Sequence, residues 1–237
     1  MKIEVLYPEV CCLFGDKANA RYLSCCMPQA DFVDTALSDE PAFVREDVAM
    51  IYLASMSESS QSILIETLAP YRARLAELID KGCVILATGN AFEIFGKSIT
   101  TEKDEVIPAL DLIDITTKRQ IPKRSNSLFL GLFESQTIVG YTSRFAHSFY
   151  GPDAKPLFHV EKGYGMNLDD KTNEGVRKNN FFGTHLLGPL LVQNPDFNLY
   201  LQKLMGVENP SLAWEDAVRE ALDVRLKEFN RDIVFYD

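Results

Sequence analysis

Lys81-Gly82-Cys83-Val84-Ile85-Leu86-Ala87-Thr88-Gly89-Asn90-Ala91-Phe92-Glu93-Ile94-Phe95-Gly96 reads as a buried strand, a sharp turn and the start of a helix. Lys81-Gly82 is a good helix stop, and the short apolar run after it has the length of a strand covered on both faces. A bend of this kind at the end of a central strand is how α/β hydrolytic enzymes present a nucleophile. A glycine, Gly89, stands at the bend, so the chain offers backbone where a reactive side chain would be.

Working outward, residues 2–7 alternate as a first strand, 17–26 form a short helix, and 48–53 form a second buried strand. The polar turn 55–60 leads into a helix whose apolar positions Leu64, Leu68, Tyr71, Leu75 and Leu78 recur at spacings of three and four. Strand, helix, strand in this order predicts a parallel sheet with right-handed crossovers. The second half reads differently. Residues 127–133 and 136–141 form a hairpin, 156–160 and 181–185 form further strands, and Lys162-Gly163-Tyr164-Gly165 turns between them. At the end, Ser211 is expected to cap a helix with Glu215 and Asp216 in its first turn and Trp214, Val218, Leu222, Leu226 and Phe229 as its buried stripe. The fold class is therefore α/β, a mostly parallel central sheet flanked by helices with added antiparallel strands, and residues 1–237 are read as one domain.

The net charge of −10 disfavours nucleic acid and anionic membranes as partners, because binding to phosphate rests on lysine and arginine. No apolar run approaches the roughly 20 residues of a membrane span, and residues 1–5 lack a signal-peptide layout, so a cytoplasmic protein is expected. The five cysteines, Cys11, Cys12, Cys25, Cys26 and Cys83, are an odd count. Adjacent cysteines on a strand point to opposite faces, so buried inert thiols are favoured over a zinc site, and neither metal nor cofactor is expected.

Several separated motifs resemble one known family. Leu6-Tyr7-Pro8-Glu9 with Phe14-Gly15-Asp16-Lys17-Ala18-Asn19, Lys162-Gly163-Tyr164-Gly165-Met166-Asn167, Glu174-Gly175-Val176-Arg177, and Gly183-Thr184-His185-Leu186-Leu187-Gly188-Pro189-Leu190-Leu191 with Asn194-Pro195 occur in the family's order. They resemble the glutamine amidotransferases of the cobyric acid synthase type, and within them the small amidotransferase subunits of lipid II isoglutaminyl synthase, which amidate a cell-wall precursor. The resemblance runs from about residue 6 to about residue 201. It implies a class I glutamine amidotransferase fold and a cysteine nucleophile that attacks the glutamine side-chain amide, with backbone N–H groups holding the oxyanion and a histidine moving the proton.

On that alignment the cysteine position is Gly89 and the histidine position is Leu187, so both members of the dyad are lost together. The glycine after the nucleophile is Asn90, and the loop after the second core strand, residues 54–61, has no glycine. Thr88 and His185 are the available substitutes; the plainer reading is a buried threonine and a hydrogen-bonded histidine. Cys83 opens the strand, too far from the bend to act there, and His147 and His159 are incidental. Arg124 falls where the family has a substrate-contacting arginine, although a surface role is favoured.

The expected function is a non-catalytic amidotransferase-like binding or docking subunit, with a pocket formed by Thr88, Gly89, Asn90, His185 and Leu187. Its partners would be a Mur-ligase-like or other ATP-dependent ligase or synthetase and a small amide or carboxylate ligand. The alternative is an active glutamine amidotransferase, supplying ammonia to a ligase through relocated residues. Gly89→Cys with Leu187→His is expected to leave the fold intact, because both positions belong to a turn or pocket.

Overall fold

The computed structural model describes residues 1–229. In chain order its elements are β1 (Lys2–Leu6), α1 (Lys17–Cys26), β2 (Asp31–Thr35), α2 (Ala42–Arg45), β3 (Met50–Leu53), α3 (Glu58–Leu68), α4 (Arg72–Asp80) and β4 (Val84–Thr88). After a 3₁₀ segment, Gly89–Phe95, come β5 (Ser98–Thr100), β6 (Val106–Pro108), β7 (Ile115–Arg119), β8 (Ser125–Phe133), β9 (Gln136–Arg144) and β10 (Ala146–Tyr150). The chain continues through β11 (Lys155–Lys162), β12 (Asn173–Lys178), β13 (Phe181–Thr184), α5 (Leu190–Gln193), α6 (Pro195–Leu204) and α7 (Glu215–Phe229).

A nine-stranded sheet has the order β2-β1-β3-β4-β13-β12-β11-β8-β9. Pairing is parallel from β2 to β13 and antiparallel from β13 to β9. A smaller sheet, β10-β7-β5-β6, accompanies it. β3 and β4 are buried at every position, as strands covered on both faces must be. β8 instead alternates buried and half-buried along its length. Because β1, β3, β4 and β13 run parallel, the loops that follow them gather at one carboxyl edge, where ligand sites of open α/β sheets form.

One polar side chain holds the β1 side of the sheet to its neighbours. Glu4, in the middle of β1, is fully buried, and its carboxylate accepts from the Thr35 hydroxyl at 2.5 Å and from the amides of Ala42 and Phe43 at 2.6 and 2.9 Å. It thus satisfies the first open N–H groups of α2, which no backbone carbonyl can reach.

Several sequence expectations need correction. The helix read through Tyr71 breaks into α3 and α4 around a 3₁₀ turn at Ala69–Tyr71, because Pro70 has no N–H to continue the ladder. Ser57, inside the predicted polar turn, caps α3 by accepting from the Ser60 amide. Ser211 does not cap α7; its amide donates to Gln202 Oε1, and the helix starts only at Glu215. Trp214 lies before that start with φ of 51° and is 67% exposed, its ring stacked on Tyr22 rather than buried in the stripe. Cys25 is exposed and Cys12 half-buried, so the thiols are not uniformly buried. The sequence reading missed β2, β12 and the whole small sheet.

Replacing Glu4 with alanine strands one buried and one half-buried amide and a buried hydroxyl, and is expected to lower stability by about 2–4 kcal/mol. The check is a urea unfolding curve, in which the midpoint falls while the slope stays unchanged.

Candidate functional site

The bend after β4 lies at the carboxyl edge between β3 and β13. Gly89 has φ of 62°, a left-handed conformation that glycine adopts without strain. A Cβ built on it would lie 2.5 Å from Ser55 Cβ and 3.1 Å from Leu187 Cδ2. The loop after β3 has therefore closed onto the backbone at the point where a nucleophile would project. Gly89 and Leu187 do come together as the sequence predicted, but as a packed contact, and Leu187 is 4% exposed.

Asn90 fastens this closure. Its side-chain amide pairs with both backbone groups of Met56, accepting from the amide at 3.0 Å and donating to the carbonyl at 2.9 Å. The neighbouring N–H of Ser55 donates to Asp16 Oδ2 at 2.8 Å, and that of Gly89 to the Leu186 carbonyl at 3.3 Å. Three backbone donors facing the bend are thus already engaged. Asp16 is itself fully buried, and desolvation raises its carboxyl above the usual range against hydrogen bonds that favour the charged form. Gly188 permits this packing: a Cβ there would lie 2.5 Å from Asp16 Cα.

The two substitute residues point into separate networks. Thr88 is fully buried with its hydroxyl 3.1 Å from Tyr52 Oη, and Tyr52 also accepts from Asn19. His185 is 1% exposed; its Nδ1 lies 3.2 Å from Glu174 Oε1, and its backbone N–H donates to the same oxygen at 2.8 Å. Burial, reinforced by the Arg144 charge, pushes the imidazole down to about 3, so it is neutral at neutral pH, and Nδ1–H donates to Glu174. Burial raises the Glu174 carboxyl, partly offset by Thr184 Oγ1 donating to its other oxygen at 2.6 Å.

Sequence reasoning missed Ser148 of β10, whose Oγ lies 3.5 Å from His185 Nε2. Ser148, His185 and Glu174 form a hydroxyl, imidazole and carboxylate line, the order of a serine hydrolase triad. It lacks the properties of one. The contact exceeds the roughly 3.2 Å reach of proton transfer, the imidazole is far too weak a base, and all three side chains are buried. Ser148 Oγ also lies 2.9 Å from Thr117 Oγ1, which makes the line a structural relay joining the two sheets. The Glu-Gly dipeptide at Glu174 was legible as a motif; its partner on β10 was not.

The other candidates fall where their chemistry is quiet or modest. Cys83 Sγ faces the Val48 carbonyl at the start of β4, and burial pushes its thiol up to about 12. His147 is buried, with its imidazole pushed down to about 4 by desolvation and the Arg144 charge. Arg124 is exposed but not idle: its guanidinium lies 4.2 Å from the Phe145 ring centroid, with Phe14 on the same side, at the mouth of the bend. What remains beside Gly89 is a cavity of about 50 Å³, bordered by Glu93, Arg124, Arg144 and His185. Ordinary ligand pockets begin at roughly 300 Å³. A larger cleft of about 750 Å³ lies elsewhere, around Lys97, Lys155 and Lys178, and shares no residue with the bend. Its lysines are largely committed, Lys97 to Asp114 and Lys178 to the Leu112 carbonyl. Among the described residues no group of three or more His, Cys, Asp or Glu could hold a metal ion, and no helix is long and apolar enough to cross a membrane.

Residues 2–195 match the family model for the CobB/CobQ-like glutamine amidotransferase domain. The chain is similar to the lipid II isoglutaminyl synthase (glutamine-hydrolyzing) subunit GatD of Staphylococcus aureus, 26% identical over 165 residues that cover 70% of this chain and 67% of the relative. It is 24% identical to the subunit of the same name from Streptococcus pneumoniae, covering 94% of this chain and 88% of that one. Among solved structures, a glutamine amidotransferase superposes with a TM-score of 0.56 at 13% identity, covering 86% of this chain and 99% of the other. The glutaminase domain of Trypanosoma brucei CTPS with bound acivicin superposes with a TM-score of 0.53 at 6% identity, covering 90% and 96%. These structures share the fold, a class I glutamine amidotransferase-like α/β arrangement with a mixed sheet.

The crowding at Gly89 puts an energetic cost on any side chain placed there. Gly89→Ala is expected to destabilise by about 2–4 kcal/mol, combining left-handed backbone strain with overlap against Ser55. Adding Ser55→Gly should recover about 1–2 kcal/mol of this in a double-mutant cycle, since it removes the overlapping Cβ but not the strain. His147 gives a pH signature. Its folded pKa lies below the unfolded value of about 6.5, so its stabilising contribution is complete above that pH and is lost as pH falls toward about 4. His147→Gln should flatten the stability profile in that window, as read by urea midpoints at successive pH values.

Proposed function

The chain belongs to the CobB/CobQ-like glutamine amidotransferase family, and we propose that it serves there as a non-catalytic subunit that binds a small ligand or docks on a partner enzyme. One observation carries this reading: the space a nucleophilic side chain needs at Gly89 is taken by Ser55, whose loop is held in place by Asn90. A lost nucleophile alone would leave an open elbow, and an open elbow could still polarise an amide. Here the base position is Leu187, the Met56 donor is spent on Asn90, and the remaining cavity is too small for glutamine.

The partner that fits the reading is an ATP-dependent ligase, since the relatives in Staphylococcus and Streptococcus are each named as a subunit of a synthase acting on lipid II. A Mur-ligase-like enzyme of cell-wall precursor amidation is the specific form of that proposal, in the cytoplasm. The free cysteines suit a reducing compartment. The second reading, an active amidotransferase with relocated residues, has His185 beside the cavity in its favour, but needs a nucleophile that neither Thr88 nor Ser148 supplies in the geometry present.

Purified protein, alone and with a co-expressed Mur-ligase-like partner, is expected to release no glutamate from glutamine above the background of a heat-denatured sample. Glutamate release abolished by Thr88→Val, Ser148→Ala or His185→Gln would establish the second reading instead.

A further inference from the structure

Arg144 ends β9 and is 6% exposed, yet among the described residues the only hydrogen bond of its guanidinium runs from Nη2 to the Gly165 carbonyl at 2.6 Å. Nε and Nη1 are buried with no acceptor among the described residues. Desolvation brings its pKa down to about 10, so the group is still charged at neutral pH; Glu174 and Glu93 favour that charge from nearby without bonding to it. Glu93, 1% exposed, shows the complementary defect. Its Oε2 accepts from Gln61 at 2.8 Å, while Oε1 is buried with no hydrogen-bond donor among the described residues, its nearest imidazole nitrogen, His185 Nε2, lying 3.7 Å away. Both residues border the cavity beside Gly89. A buried guanidinium without an acceptor and a buried carboxylate oxygen without a donor are each costly, and here the two open groups border one small polar space.

We propose that this cavity is a receptor for a small oxyanion that carries its own hydrogen-bond donor, a molecule the size of bicarbonate or glycolate. The anionic oxygens accept from the open N–H groups of Arg144, with Arg124 adding a second positive charge at the mouth, and the hydroxyl of the ligand donates to Glu93 Oε1. His185, being neutral, does not compete for the anion. Glu58 at the rim disfavours larger polyanions. A space of about 50 Å³ holds on the order of three to five waters, which matches four or five non-hydrogen atoms and excludes glutamine. The inference rests on the non-catalytic reading of the bend, and assigns the ligand class of that site.

Thermal unfolding is followed while sodium glycolate, bicarbonate, acetate or chloride is added at matched ionic strength, with glutamine in parallel. Glycolate or bicarbonate should raise Tm with a saturating dose response whose midpoint lies about tenfold below that of acetate, which has no donor for Glu93. Arg144→Gln should abolish the response, and Arg144→Lys, which keeps the charge but not the fork, should weaken it at least tenfold. Glu93→Gln should bring acetate level with glycolate, because the new amide can donate to a carboxylate. The inference is overturned if no anion saturates, if the response survives in Arg144→Gln or is undiminished in Arg144→Lys, or if acetate matches glycolate in the unaltered protein. Glutamate released from glutamine in the same samples would remove the non-catalytic reading while leaving an observed anion response to stand.

Discussion

The approach of Ser55 to the backbone of Gly89 is the contact on which the rest of the site depends. A left-handed residue at the end of β4 is a demand of the elbow geometry itself, and glycine meets it at no steric cost. With no Cβ in the way, the loop after β3 settles against the bend, Asn90 clips it there through Met56, and Leu187 fills what is left. Each of these adjustments makes the others more favourable. The closed bend is thus a packed structure in its own right.

Around this apolar closure lies a band of buried polar groups. Asp16 joins the loops after β1 and β3, Glu174 joins β12 to the end of β13, and His185 reaches from β13 toward Ser148 in the small sheet. Burying such groups is tolerable only when their hydrogen bonds are made, and backbone amides at strand ends supply most of them. Arg144 and Glu93 stand apart in this band, because protein groups satisfy them only in part. The contrast separates the polar groups that hold the fold from those directed at the cavity.

Much of this was legible from residues alone. The apolar runs of β3 and β4, the Gly-Asp and Gly-Thr-His-Leu-Leu-Gly-Pro segments, and the glycine at the bend located the sheet centre and the positions of Gly89 and Leu187, since periodicity and turn chemistry are local properties. The end of the chain shows where local reasoning failed. Trp214 has the spacing of a buried stripe, but its left-handed backbone sets it before the helix, where it lies exposed on Tyr22. The strands of the small sheet are short, and β5 pairs parallel with β7 across a long connection, so no sequence-local pattern announced it.

The sequence by itself determined the family fold, the position of the bend, and the absence of a sulfur and an imidazole at Gly89 and Leu187, because those are matters of residue identity in a fixed order. Only the tertiary structure decided that the bend is shut, that His185 is a neutral member of a buried relay, and that Arg144 and Glu93 border one cavity. Ser55, in the loop after β3, meets Gly89 at the start of the 3₁₀ segment, and Arg144, at the end of β9, shares a cavity with Glu93 of that segment. Distances between loops follow from strand order and register, which are set by the packing of the whole sheet and not by the neighbours of any one residue.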